Sequence, residues 1–312
     1  MEQNQGKRQL RGSLLLLLGS VIWGAAFAAQ KAGMDHVGPM TFTGIRMLLG
    51  AVVLTPMVMI KEKKNERTAA QQHEQVKAGI ICGLWLFIAS VLQQIGLVST
   101  TAGKAGFITA LYVVLVPVTA WILFRKHPGP MIWVSVALAV AALYLLCIAG
   151  KDEAGLQTGD LLVIGCAVCF TGQILSVDHF APRVSGIRLA RDEFLVTGGL
   201  SMIIALFAET IEWEGIREAL IPILYTGIMS SAVGYTLQIY GQRDTDPTIA
   251  SLLMCLESVF AVLTGALLLG EQMTGWEKIG CAVMFAAVIL AQISPVIKRK
   301  NDERGKQRKS KA

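Results

Sequence analysis

Residues 93–119 read QQIGLVSTTAGKAGFITALYVVLVPVT, and residues 238–264 read QIYGQRDTDPTIASLLMCLESVFAVLT. Set 145 positions apart with no gap, Gln93 falls on Gln238, Gly96 on Gly241, Thr100 on Thr245, Ala105 on Ala250 and Thr119 on Thr264. Both copies are embedded in strongly apolar sequence. A weak internal repeat among hydrophobic spans is the pattern of membrane folds built from two related halves, which move solutes rather than transform them.

The surrounding composition agrees. Of 312 residues, 54% are apolar and only 16% charged, and mean hydropathy is +0.56. The charges lie mostly between ten apolar runs: 13–33, 39–60, 78–98, 104–124, 130–149, 159–179, 189–208, 220–241, 248–269 and 275–294. Each is near the ~20 residues that cross a hydrocarbon core. The expected fold is an all-α integral membrane protein of ten transmembrane helices. Five spans per half is an odd number, so the second half enters from the opposite side and the repeat is inverted. The seam falls at 150–158, and Trp23 aligns with Phe170 at an offset of 147.

Lysine and arginine orient the chain. With the N-terminus inside, 22 of the 28 fall on inside segments, and outside loops hold only Lys104, Lys151 and Arg217. Both termini are therefore expected in the cytoplasm of a cell whose plasma membrane holds the chain. The basic tails, 1–11 and 297–312, read as orienting anchors that attract anionic membrane lipids, not as nucleic-acid-binding arms. Arg8 and Arg11 before Leu14–Leu18, with Ala26-Phe27-Ala28 after them, imitate a signal peptide, but apolar sequence continues to Gly33 and the span reads as retained. All six cysteines lie in spans, so Cys166-x-x-Cys169 reads as packing rather than redox chemistry.

Several side chains stand out. Glu257 lies nine residues after Thr248 and thirteen before Gly270, with about 14–20 Å of helix on each side. A charge at such a depth costs roughly 3 kcal/mol, so it faces a cavity or a partner. It reads either as a contact for a substrate amine, as a proton-coupling group, or as a structural pin for the ninth helix. Arg46, about 10 Å below the outer surface, has comparable depth: it reads as snorkelling or capping backbone carbonyls, and an ion pair with Glu257 is geometrically allowed. The first span sets Gly19, Trp23, Phe27 and Gln30 on one face. Ser90, Gln93 and Gln94 cluster in the third span, Lys104, Ile108 and Tyr112 recur in the fourth, and Phe170 and Gln173 lie three apart in the sixth. In the eighth, Ser231, Tyr235 and Gln238 share a face. We expect Trp23, Gln93, Tyr112, Phe170, Gln173, Tyr235, Gln238 and Glu257 to surround a central substrate cavity at the repeat interface. Pro117, well inside the fourth span, is expected to kink it. Asp192-Glu193, near the inner end of the seventh span, reads as solvated at the interface.

The motifs then resemble a known family. Val21-Ile22-Trp23-Gly24 in the first span, Arg46 in the second, Leu256-Glu257-Ser258-Val259-Phe260 in the ninth and Leu268-Leu269-Gly270-Glu271 at its end look like the EamA family of the drug/metabolite transporter superfamily. That family usually has proline where this chain has Ser258. The resemblance implies two five-helix repeats, at 12–149 and 157–294, and a secondary carrier, often an exporter, of small amino-acid-like or amphipathic metabolites. It would work by alternating access as a monomer or homodimer. No cofactor or metal is expected: there is no phosphate-binding glycine loop, and His36, His73, His127 and His179 lack metal-ligand spacing. The alternative is a membrane enzyme with an interfacial site at Asp35-His36 or Asp178-His179.

Single cysteines at Gln72 and Asn301 are expected to react with impermeant thiol reagents only from the cytoplasm, and one at Asp152 only from outside. Outside labelling at 301 would remove the ten-span arrangement.

Overall fold

A computed structural model describes residues 2–62, 68–100, 102–125, 127–150, 157–268 and 272–311. In chain order its helices are α1 (Glu2–Met34), α2 (Pro39–Glu62), α3 (Ala69–Ser99), α4 (Ala102–Ala110), α5 (Tyr112–Phe124), α6 (Pro130–Cys147), α7 (Thr158–Phe180), α8 (Gly186–Ala208), α9 (Trp213–Glu218) and α10 (Leu220–Leu224). A π-helical segment, Tyr225–Tyr235, follows, then α11 (Thr236–Arg243), α12 (Pro247–Met254), α13 (Leu256–Leu268) and α14 (Gly275–Lys311). There is no strand among the described residues. Residues 151–156 of the expected seam, and Leu269, Gly270 and Glu271 of the ninth-span motif, lie outside them.

Nine segments of the described residues are long and apolar enough to cross a membrane. The tenth expected span is α8, a helix of 23 residues. Arg188, Arg191, Asp192 and Glu193 in its early turns dilute its hydropathy, yet it packs along both α2 and α3 inside the bundle. The fourth, eighth and ninth spans are not uniform helices. The fourth is interrupted at Leu111, between α4 and α5, more than a turn before Pro117, where the kink was expected. There the Val114 N–H turns to the Leu111 carbonyl. The ninth is interrupted at Cys255, with Ser258 N–H bonded to the Cys255 carbonyl. No proline is needed: a short i→i+3 turn breaks the α ladder by itself.

The two halves interlock by exchanging partners. In the first half α3 lies along α7 of the second, and α11 with the π-helical segment lies along α1. The crossings α2–α8 and α6–α14 each join a helix to its own counterpart, as a two-fold axis between inverted repeats requires. Glycines set the closest approaches. A Cβ on Gly159 would meet the Gly96 carbonyl oxygen at 2.5 Å, and one on Gly241 would meet the Gly12 carbonyl oxygen at 3.0 Å. Gly241 is Gly96 advanced by 145, and Gly159 is Gly12 advanced by 147, so one backbone contact is built twice. Small residues let backbones touch where hydrophobic driving force between helices is absent.

Carboxylates of the second half close helix ends and reach across to the first. Glu209, just after α8, accepts from the Met40 and Thr41 N–H groups at 2.8 Å each and from the Thr41 hydroxyl at 2.7 Å. It satisfies N–H groups that the first turn of α2 leaves without helical partners. Asp160 caps its own helix α7 by accepting from the Gln157 N–H at 2.8 Å, and reaches the first half by accepting from the Thr100 hydroxyl at 2.7 Å. All six cysteines are free, five of them buried and Cys281 partly so.

Gly159→Ala must push α7 from α3, because the atoms it meets include backbone; the expected loss is about 1–3 kcal/mol, read as a lower melting temperature in detergent. Gly199→Ala, with nothing within 4 Å of its Cβ, is expected to be neutral or slightly stabilising. Equal effects of the two would refute the close-contact account.

Candidate functional site

The two interruptions meet at the centre of the bundle. The Cys255 thiol donates to the Ala110 carbonyl at 3.6 Å, and the Tyr112 hydroxyl donates to Glu257 Oε1 at 3.3 Å. Both pairs are repeat counterparts, 145 positions apart. A residue that touches its own counterpart lies on the axis between the repeats. The break in each helix thus sits beside its partner, and Glu257 stands at the first turn of α13, where a helix N-terminus favours an acceptor.

Around this point lies a cavity of about 60 Å³, room for a few water molecules. The structure brings the eight side chains expected at a cavity to its wall, Trp23, Gln93, Tyr112, Phe170, Gln173, Tyr235, Gln238 and Glu257, and adds Arg46. Arg46 and Glu257 share the wall without forming the ion pair that their depths allowed. Arg46 makes no hydrogen bond or ion pair among the described residues, and its Nε is buried without a partner. With Arg46 3% and Glu257 7% exposed, a guanidinium and a carboxyl face one small space without pairing with each other.

The remaining wall is aromatic and amide. Trp23 donates its indole N–H to the Ser230 carbonyl at 3.1 Å and meets Tyr235 edge-on, with ring centroids 5.0 Å apart. Gln93 donates to the Thr109 hydroxyl at 3.3 Å. On the opposite side Gln238 donates to Gln173 at 3.1 Å and to Gln242 at 3.0 Å, and Gln242 donates to the Ile174 carbonyl at 3.2 Å. Gln173 in turn donates to Glu193 Oε2 at 3.4 Å. The amides tie α7, α8 and α11 together at that end.

The structure corrects several readings from sequence. Glu193 is not solvated; it is wholly buried, whereas Asp192 keeps the ion pairs, to Arg188 at 3.4 Å and Arg191 at 2.6 Å. Ser231 is not on the cavity wall and donates to the Met47 sulfur at 3.6 Å, while Ser230 lines the cavity with Tyr235. The π-helical turn explains the exchange, since i→i+5 bonding puts residues five apart on one face where an α-helix puts those four apart. Of the third-span cluster only Gln93 reaches the cavity; Gln94 donates to the Met34 sulfur at 3.1 Å. Thr109 and Met254 also line it and were not anticipated; their alternation with apolar neighbours carries no signal in the sequence. The enzyme alternative loses its clusters, because His36 pairs with Glu218 at 2.8 Å rather than with Asp35, and His179 contacts Arg183 at 2.6 Å. A second, larger groove of about 460 Å³ lies between α3, α5 and α7, lined by Trp85, Leu115, Leu123, Val168 and Leu175. It has no buried charge.

Known proteins agree with this architecture. A solved crystal structure superposes with a TM-score of 0.74 at 17% identity, covering 90% of this chain and 96% of that one. An uncharacterized transporter of Archaeoglobus fulgidus is 27% identical over 93% of this chain and 88% of its own length. The S-adenosylmethionine/S-adenosylhomocysteine transporter of Chlamydia muridarum is 26% identical over 87% of this chain and 90% of its own. The threonine/homoserine exporter RhtA of Salmonella typhimurium is 24% identical, covering 88% of each. The model of the EamA-like transporter family matches twice, at residues 10–148 and 157–292. The chain therefore belongs to the EamA-like transporter family, a family of multi-pass membrane transporters and not of enzymes.

Proposed function

We propose that this transporter exports small metabolites that carry an α-amino acid group, by alternating access at the central cavity, from a cell membrane in which both termini face the cytoplasm. The observation that carries the reading is a guanidinium and a carboxyl that share one wall without pairing with each other. Arg46 offers a guanidinium fork to a carboxylate, and Glu257, held by Tyr112, offers a carboxylate to an ammonium group. A zwitterion completes both; an apolar or singly charged solute leaves one buried charge without a partner, at a cost of a few kcal/mol. Trp23, Phe170 and Tyr235 supply flat apolar surface for the remainder of the solute, and the amides of Gln93, Gln173 and Gln238 adapt to its polar atoms. The substrates named for two relatives, threonine/homoserine and S-adenosylmethionine/S-adenosylhomocysteine, all bear that amino acid group. The export direction follows the Salmonella relative.

The cavity of about 60 Å³ must widen to take such a solute, and the interruptions at Leu111 and Cys255, with the π-helical segment, are where the wall can yield. The apolar groove between α3, α5 and α7 offers lipid acyl chains a surface without buried charge.

Exchange of labelled threonine or S-adenosylmethionine by the full chain in proteoliposomes tests the reading. Unlabelled zwitterionic amino acids are expected to compete, and N-acetyl or methyl-ester derivatives, each lacking one charge, to compete about 10–100-fold less well. Arg46→Gln is expected to erase the discrimination against the ester, and Glu257→Gln that against the N-acetyl form. Equal competition by blocked and unblocked solutes, or no exchange of any solute, overturns the proposal.

A further inference from the structure

Among the described residues, Glu193 is the one buried carboxyl near the cavity that the solute site does not use. It lies on α8 between α2 and α3, where a Cβ on Gly83 would stand 3.1 Å from its Cα. Its side chain is wholly buried; Oε2 takes one hydrogen bond from Gln173, and Oε1 has no partner. No cation forms an ion pair with it among the described residues. Among the described residues the titratable groups facing it are few: Asp192 beside it on α8, Cys82 from α3 and Tyr235 from the π-helical segment. From α2, Arg46 reaches Tyr235 instead of the carboxyl, and α7 presents only the neutral Gln173. A carboxylate enclosed in this way, with no counter-charge, costs several kcal/mol, a cost that a bound proton removes.

Its position is also particular. Asp192 faces the partly exposed arginines Arg188 and Arg191 at one end of the bundle, while Gln173 is part of the cavity wall. Glu193 therefore stands one residue from a solvated ion cluster and one side chain from the cavity. It is also the repeat counterpart of Arg46, since 193 is 46 advanced by 147, the offset that matches Trp23 to Phe170. The two halves put a fixed cation and an acid at the same place. A guanidinium keeps its charge, so only the second half can exchange a proton there.

We propose that Glu193 is the proton-exchanging carboxyl of this transporter, separate from the charges that hold the solute, and that the Gln238–Gln173 hydrogen bonds couple its occupancy to the cavity. In the arrangement seen here the proton sits on the carboxyl. When the amide cluster parts and water reaches Oε1, the proton leaves to water. A solute ammonium entering the cavity favours that departure, and the proton returns once the solute has gone. Solute and proton thus move in opposite directions. The inference rests on the transporter reading above.

The test uses the full chain in proteoliposomes and the amino acid that exchanges there. Wild type is expected to accumulate it when a pH gradient is imposed. Glu193→Gln is expected to lose gradient-driven accumulation while gradient-free exchange stays within about twofold of wild type, and Glu193→Asp to recover accumulation. Accumulation unchanged in Glu193→Gln overturns the proposal. So does a wild type that exchanges solute but never responds to a pH gradient, an outcome that leaves the transport reading standing; absence of all exchange overturns both. Should the variants misfold, a pH-indicator dye in weakly buffered detergent solution decides on wild type alone: solute is expected to displace a proton, and none released overturns the proposal.

Discussion

A polar group in hydrocarbon has no water to turn to, and this constraint governs where everything polar in the chain can be. Backbone groups are met by unbroken helices over most of each span. Where the helices break, at Leu111 and Cys255, the loose ends are turned toward each other, so that the carbonyl of Ala110 receives the thiol of Cys255. The same rule collects the amides of α3, α7 and α11 into one interior. A space with polar walls at membrane depth is thus not carved separately into the bundle. It is the place where helices that cannot stay regular are allowed to be irregular.

Much of this was readable from residue order, for reasons that differ by residue. Eight polar, aromatic or charged side chains within apolar runs had few places to go besides the interior, and all eight reach one cavity, where Arg46 joins them. Local backbone was the harder part. The α-helical period selected Ser231, but the wide turns of Tyr225–Tyr235 present Ser230 instead, and no residue type announces a π-helical turn. Proline is the usual mark of a break, yet α4 gives way at Leu111, before Pro117, and α12 at Cys255 with no proline near. Glu193 was misjudged because two arginines and an aspartate adjoin it in sequence; the helix turns those outward and the glutamate inward.

The halves share a frame and differ in chemistry. Equivalent glycines make equivalent backbone contacts on the two sides of the axis, Gly96 with Gly159 and Gly241 with Gly12. Equivalent polar positions have separated instead: Tyr112 against Glu257, and Arg46 against Glu193. Packing positions answer to geometry, which symmetry preserves. Cavity positions answer to a solute that has no two-fold axis, so a wall made of identical halves would suit it poorly.

The π-helical segment holds slack. Its eleven residues are wound more loosely than an α-helix, and each residue withdrawn from the loose turns would rotate α11 against α10 by about 100°. Tyr235 ends that joint and Gln238 rides on its far side, so such a rotation would carry Gln238 off the cavity wall and draw it away from Gln173. The eighth span is in this sense a screw thread cut within a single helix, able to convert a small local rewinding into a turn of the side chains below it without sliding any neighbouring helix along the membrane.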